Sequence, residues 1–213
     1  KEGKIGKVYL AKASIGHAGP REINLTQWFC EWLENKKRSG GGAFGDEAGY
    51  VISTFIDFLG PITEICSFMT QQGWRDYLDA DMEDNSVAIL KFASGALGMI
   101  DSKWGQIGRI PFGQSYHGTD GTLLTGFEGL RVYSRVGVPK GEEKWQDVNI
   151  PRDPRGAHEA AHFVNTILAG GDFEGVIGPE GSLAVQEVIE AAYMSAEQDR
   201  IVKLPIVRPF RYK

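Results

Sequence analysis

The chain has 213 residues, 42% hydrophobic and 24% charged, enough apolar material for one large domain or two small ones. Its net charge of −5 argues against a nucleic-acid partner, because phosphate binding needs clustered Lys and Arg and the only basic run is Lys36-Lys37-Arg38. No apolar run approaches the roughly 18 residues of a spanning helix, and no signal peptide is evident. With Cys30 and Cys66 isolated and outside any C-x-x-C, this predicts no membrane partner, buried free thiols and a cytoplasmic, reducing location.

Residues 5–15 alternate and predict a strand, broken by His17-Ala18-Gly19-Pro20. Residues 25–36 predict a helix. A glycine loop follows, and then a second helix over residues 46–59. Strands are predicted over residues 62–70, 86–93, 97–103 and 115–118, with Ser94-Gly95 as a hairpin turn, and over 122–125 and 130–136. Residues 138–155 read as loop, carrying Pro139, Gly141, Pro151 and Pro154. Helices are predicted over residues 157–169, stopped by Gly170-Gly171, and 182–198, followed by a short strand over 201–204. This order predicts an α+β fold: an open, mostly antiparallel β-sheet with helices packed on one face. Met99 and Ile100 put one apolar side chain on each side, so the second face should be covered by a copy of itself.

The segment Ser39-Gly40-Gly41-Gly42-Ala43-Phe44-Gly45-Asp46-Glu47-Ala48-Gly49-Tyr50 draws the functional question. Asp46 and Tyr50, four apart, share a helix face with Ser53, Thr54 and Asp57, while Val51, Ile52, Phe55, Ile56 and Leu59 point away. A carboxylate one turn from a phenol at a buried helix start suits proton transfer. The same pair also reads as an ordinary half-solvated couple behind glycines that serve only a turn. Gly40, Gly42 and Gly45 spell G-x-G-x-x-G, but an amphipathic helical stretch precedes them where the dinucleotide fingerprint requires a strand, so these glycines are not read as a cofactor cradle.

Five segments in sequence resemble the C-terminal domain of the glucose-fructose oxidoreductase / inositol dehydrogenase (Gfo/Idh/MocA) family. They are Gly3-Lys4-Ile5-Gly6-Lys7-Val8; Gly40-Gly41-Gly42 with Asp46; Asp84-Asn85-Ser86-Val87-Ala88 with Phe92-Ala93-Ser94-Gly95-Ala96; Gly118-Thr119-Asp120-Gly121-Thr122; and Ser195 with Ile201-Val202-Lys203-Leu204-Pro205. The resemblance implies that residues 1–213 form a substrate-binding and oligomerisation domain, joining copies into a homo-oligomer through its open sheet. It implies a Rossmann domain carrying NAD or NADP and a Glu-Lys-Pro lysine, both absent from this chain, which begins at Lys1. It implies oxidation or reduction of a sugar, polyol or cyclitol secondary alcohol; the fragment alone is expected to bind no cofactor and to be inactive. The alternatives are a non-enzymatic oligomerisation or binding domain with a vestigial pocket, and redox-assisted glycoside cleavage within the family. The family's D-x-x-x-H places Asp46 at the Asp and Tyr50 where most members have His, as the glucose-fructose oxidoreductase branch also does. With a reference pKa near 10, a tyrosine base needs a nearby cation, for which the lysine of the other domain is the candidate.

Other residues carry two readings. His17 reaches a sugar hydroxyl or caps a turn. Lys103 and Trp104 bind substrate by hydrogen bonding and stacking, or Trp104 lies at a subunit contact. Trp28 and Trp32 are read as packing and His117 as structural. His158 and His162 lack a third ligand at motif spacing, so no metal is expected. Asp79, Asp81, Glu83 and Asp84 begin like a calcium loop, but Asp84 and Leu90 occupy the positions that need Gly and Glu.

Overall fold

The computed structural model describes residues 3–72, 75–149, 159–173, 175 and 178–206. Alternating segments pair into one sheet: β1 (Val8–Gly16), β2 (Ile62–Thr70), β3 (Asn85–Phe92), β4 (Leu97–Lys103), β5 (Gln114–Gly118), β6 (Gly121–Gly126), β7 (Gly129–Ser134), β8 (Trp145–Val148) and β9 (Val202–Lys203). The strand order is β8-β7-β6-β5-β1-β4-β3-β2-β9. The sheet is open and antiparallel except that β1 and β4 run parallel, from Leu10 opposite Leu97 to Gly16 opposite Lys103. The helices are α1 (Gln27–Leu33), α2 (Lys36–Ser39), α3 (Ala43–Leu59), α4 (Glu159–Leu168) and α5 (Pro179–Gln198). The fold is α+β, with α3 and α5 packed on one face of the sheet.

The core forms where the apolar side of α3 meets that face. Val51, Ile52, Phe55 and Leu59 pack on Ala11 and Ala13 of β1, Ala88, Leu90 and Phe92 of β3, Ile100 of β4 and Tyr116 of β5, with Val188 and Ala192 of α5 closing one side. Phe55 meets Phe92 and Tyr116 edge-on, with centroids 6.3 and 5.8 Å away. A smaller cluster of Leu33, Ala43, Leu78, Met82 and Trp104 lies against α1 and the start of α3.

The opposite face stays open. Strand alternation turns Phe68, Val87, Ile89 and Leu97 outward, and all four are exposed. Helix α4 buries no residue among those described, and its Phe163, Val164, Ile167 and Leu168 are exposed.

Several elements depart from their sequence reading. The helix expected over residues 25–36 divides at Asn35, whose side chain accepts from Arg38 N–H and starts α2. Helix α3 starts at Ala43, three residues before its expected Asp46, because a distant carboxylate caps it. Strand β8 lies in the stretch read as loop, an edge strand of four exposed residues with no buried alternation to reveal it. The β1–β4 pairing is parallel. Trp28 is 69% exposed and is not core packing; it stacks on Phe29, which stacks on Trp32. Of the expected thiols, Cys30 is buried and Cys66 half-buried, both free. His158, and most of the expected proline-rich stretch from 150 onward, lie outside the described residues.

Ser195 shows what its C-terminal motif does. Its Oγ accepts from Ser67 N–H (3.0 Å) and donates to Arg200 O (2.6 Å), while Ser67 Oγ donates to Ala192 O (2.5 Å). These bonds fasten α5 to β2 at a point beyond β9's pairing with Glu64 and Ile65. Ser195→Ala leaves the buried Ser67 N–H without its acceptor and should lower unfolding free energy by about 1–3 kcal/mol in urea denaturation.

Candidate active site

The site is built on the first turn of α3, and that turn is held by Glu83. The Glu83 carboxylate accepts from the backbone N–H groups of Gly42 (3.0 Å) and Phe44 (3.0 Å) and from Tyr193 Oη (2.7 Å). Gly45 N–H in turn donates to Tyr193 Oη (3.1 Å), Ala43 N–H to Glu83 O (3.1 Å), and Ser102 Oγ to Ala43 O (2.7 Å). A Cβ on Gly41 would collide with Tyr193 Oη, and one on Gly42 with Glu83 O. The glycines therefore serve close backbone approach, and the chain's own carboxylate occupies the N–H groups that a pyrophosphate would use. Burial pushes the Glu83 carboxyl above its ordinary value, against the opposing hydrogen bonds from Tyr193, Phe44 and Gly42. Burial and the Glu83 charge push the Tyr193 phenol up as well, so its hydroxyl remains a donor.

One turn on, four side chains converge. Asp46 Oδ2 accepts from Trp104 Nε1–H (3.0 Å) and faces His17 Nε2 at 3.4 Å. Glu47 Oε1 lies 3.3 Å from the same Nε2. His17 Nδ1 accepts from Gly19 N–H at 3.0 Å, so the neutral ring carries its proton on Nε2 and donates toward both carboxylates. His17, Asp46 and Glu47 have metal-ligand proximity, but an Nε2 that holds the proton is a donor, not a ligand. Asp46 Oδ1 makes no hydrogen bond among the described residues. Burial, then the Asp46 charge, pushes the Glu47 carboxyl up, with His17 opposing.

The His17 loop is anchored from beneath by Arg75, whose side chain is 2% exposed. Arg75 Nη2 donates to Ala18 O and Trp104 O, its Nε donates to Glu22 Oε1 (3.1 Å), and its Nη1 lies 3.5 Å from the buried Asp84 carboxylate. Tyr77 Oη donates to Glu22 Oε2 (2.6 Å). His17 N–H donates to Lys103 O (3.2 Å) and Gln106 N–H to His17 O (3.1 Å).

Of the residues singled out from sequence, the structure brings together His17, Asp46 and Trp104. Tyr50, one turn beyond Asp46, is 71% exposed, so its phenol opens to solvent. Trp104 is fully buried, with no ring face open to solvent in this chain, and its Nε1–H is directed at Asp46. Lys103 is not in this cluster. Ser102 turns inward to Ala43, so its neighbour Lys103 projects from the open face, where its Nζ contacts Asp101 and donates to Ser14 Oγ (2.7 Å). There it lines a cleft of about 420 Å3 with Gln72, Asp84, Asn85 and Gly105. Sequence reasoning missed Glu47, Glu83, Arg75 and Tyr193. None has a local spacing signal toward its partner.

Two stability tests follow from these contacts. Glu83→Ala should lower unfolding free energy by at least about 2 kcal/mol in chemical denaturation, since it strips the cap from two buried N–H groups. Arg75→Met should cost about 3–5 kcal/mol in the same assay by leaving Asp84 unpaired.

The family description GFO/IDH/MocA C-terminal domain matches residues 1–124. A levoglucosan dehydrogenase from Pseudarthrobacter phenanthrenivorans is 24% identical, over 78% of this chain and 55% of its own. Among solved structures, an NAD binding oxidoreductase from Klebsiella pneumoniae superposes with TM-score 0.75 at 23% identity, over 96% of this chain and 61% of its own. Levoglucosan dehydrogenase in complex with NADH and levoglucosan gives TM-score 0.75 at 20% identity, over 96% and 60%. At these identities the structural likenesses establish a common fold, and the chain spans little more than half the length of these relatives. The match over residues 1–124 takes in more than half of the 213 residues, and the chain belongs to the GFO/IDH/MocA C-terminal domain family.

Proposed function

We propose that residues 1–213 form the substrate-binding and oligomerisation domain of a cytoplasmic NAD(P)-dependent oxidoreductase, acting on a secondary alcohol of a sugar, polyol or cyclitol. The Rossmann domain and its cofactor belong to a segment outside this chain. Family membership and the relatives that carry NADH with levoglucosan or L-sorbose support this reading. The observation that carries it is Asp46: one carboxylate oxygen is held by indole and imidazole N–H groups, and the other makes no hydrogen bond among the described residues, one helix turn before the exposed Tyr50.

The nicotinamide supplies the hydride acceptor or donor. This chain's residues handle the hydroxyl. Asp46 Oδ1 accepts a hydrogen bond from it and fixes its direction, while Tyr50 takes or returns the proton. Tyr50 needs a cation to do so, and the lysine of a Glu-Lys-Pro segment on the other domain fits that need. Trp104 and His17 hold Asp46 in one rotamer, so the acceptor is pre-oriented. The exposure of Tyr50 agrees with a cleft whose second wall lies on the other domain.

The exposed Phe68, Val87, Ile89 and Leu97 favour self-association through the open face. This surface alone would also suit a non-enzymatic assembly domain, and kinetics of the full-length protein separate the two readings.

In the full-length protein, Asp46→Asn and Tyr50→Phe should each lower kcat by about 10²–10⁴ while NAD(H) affinity holds. Unchanged turnover in either variant removes that residue from the reaction. The 213-residue chain alone should show no NAD(H) binding by titration calorimetry; micromolar binding would overturn the two-segment site. Val87→Lys with Ile89→Lys should shift the chain to monomer in sedimentation velocity.

A further inference from the structure

The His17 cluster has more acid than its single N–H can balance. Asp46 and Glu47 are neighbours in sequence, and their oxygens lie 3.4 and 3.3 Å from one nitrogen, His17 Nε2. Two adjacent carboxylates facing one donor repel, and one of them favours the neutral form. Gly19 N–H points at Nδ1, so a proton on that nitrogen would set two donors against each other. The Asp46 carboxylate is the better served of the two, with Trp104 Nε1–H at 3.0 Å as a second donor. Glu47 has no such donor and is the more enclosed, its side chain 14% exposed against 25% for Asp46. The charged or titratable groups acting on Glu47 are Asp46 on its own helix and His17 from the loop after β1.

We propose that the cluster retains one carboxylic proton at neutral pH, on Glu47, with His17 as a neutral positioning residue, so that the site presents a single negative charge, on Asp46, to the substrate. Burial and the Asp46 charge push Glu47 in the same direction. The stored proton lets Glu47 complete the His17 clamp without adding a second charge against the hydroxyl that Asp46 must bind. The assignment deepens the proposed site but does not depend on the reaction, since it concerns the charge state of this chain alone.

The test uses the 213-residue chain with no ligand. Infrared difference spectra at neutral pH, wild type minus Glu47→Gln, should show the carbonyl stretch of a protonated carboxylic acid. Asp46→Asn should move the titration of that band to lower pH, since the neighbouring charge is gone. Long-range 15N–1H correlation on wild type should show His17 with Nε2 protonated and Nδ1 bare. Absence of the carboxylic band in folded wild type, or a doubly protonated His17 at neutral pH, overturns the proposal. The wild-type tautomer measurement stands even if a variant fails to fold. Neither result bears on turnover, so the dehydrogenase reading stands or falls on its own kinetics.

Discussion

The carboxylate of Glu83 inside the first turn of α3 is the interaction on which the rest of the site depends. Helix N-termini carry unpaired N–H groups and a partial positive charge, which water or a ligand usually meets. Here a side chain from the loop before β3 meets them, with Tyr193 of α5 as a third donor. Burying a carboxylate costs several kcal/mol, and three charge-assisted bonds at roughly 1.5–3 kcal/mol each offset part of it, burial still holding the carboxyl above its ordinary value. The arrangement fixes where α3 starts and its rotation about its own axis. Both decide where Asp46, Glu47 and Tyr50 project. The glycine run follows from the same contact, since Gly41 and Gly42 admit no Cβ beside Tyr193 and Glu83.

A second buried ion network does for the opposite wall what Glu83 does for the helix. Arg75 gathers the carbonyls of Ala18 and Trp104 and the carboxylates of Glu22 and Asp84, tying the segment after β1 to the end of β4. Because β1 and β4 run parallel and adjacent, both strands deliver their C-terminal ends to one place. His17 leaves one end and Trp104 the other, and both turn to the helix side to meet Asp46. An antiparallel pairing of these strands would put the two residues at opposite ends of the sheet. The parallel pair is thus the feature of the topology that assembles the site.

The sequence shows most of the elements and little of their assembly. Strand β3 alternates buried and exposed residues along its length, and Gly95 takes the positive φ that its hairpin needs. The apolar side of α3 is equally visible in the spacing of Val51, Ile52, Phe55 and Leu59. What stays hidden depends on long-range pairing. Glu83 lies 41 residues from Gly42, and His17 lies 29 from Asp46, with no periodicity to link them. The break at Asn35 between α1 and α2 comes with two side-chain caps, Asn35 on Arg38 N–H and the distant Asp79 on Lys36 N–H. Lys103 and Trp104 are the instructive case. Trp104 directly follows β4 and continues its alternation, buried where Lys103 projects outward, so a shared role in one pocket conflicts with the period of two that made β4 legible in the first place.

The sheet then separates two kinds of chemistry. Its covered face carries the helix and the Asp46 cluster, where Asp46 Oδ2 accepts the Trp104 indole N–H and faces the His17 imidazole while Asp46 Oδ1 makes no hydrogen bond among the described residues. Its open face carries Phe68, Val87, Ile89 and Leu97 beside the Lys103–Asp101–Ser14 group. A surface of that composition is costly to leave in water, whereas Asp46 and Tyr50 gain by remaining open. On the proposed function the two faces differ in what they would take up: the open one apolar cover, the other a cation and a redox group from a second domain. A copy of the same chain answers the first need and cannot answer the second, because it brings the same carboxylates. On that reading the two faces call for two different neighbours, a copy of the chain on the open face and the cofactor-bearing segment on the covered one.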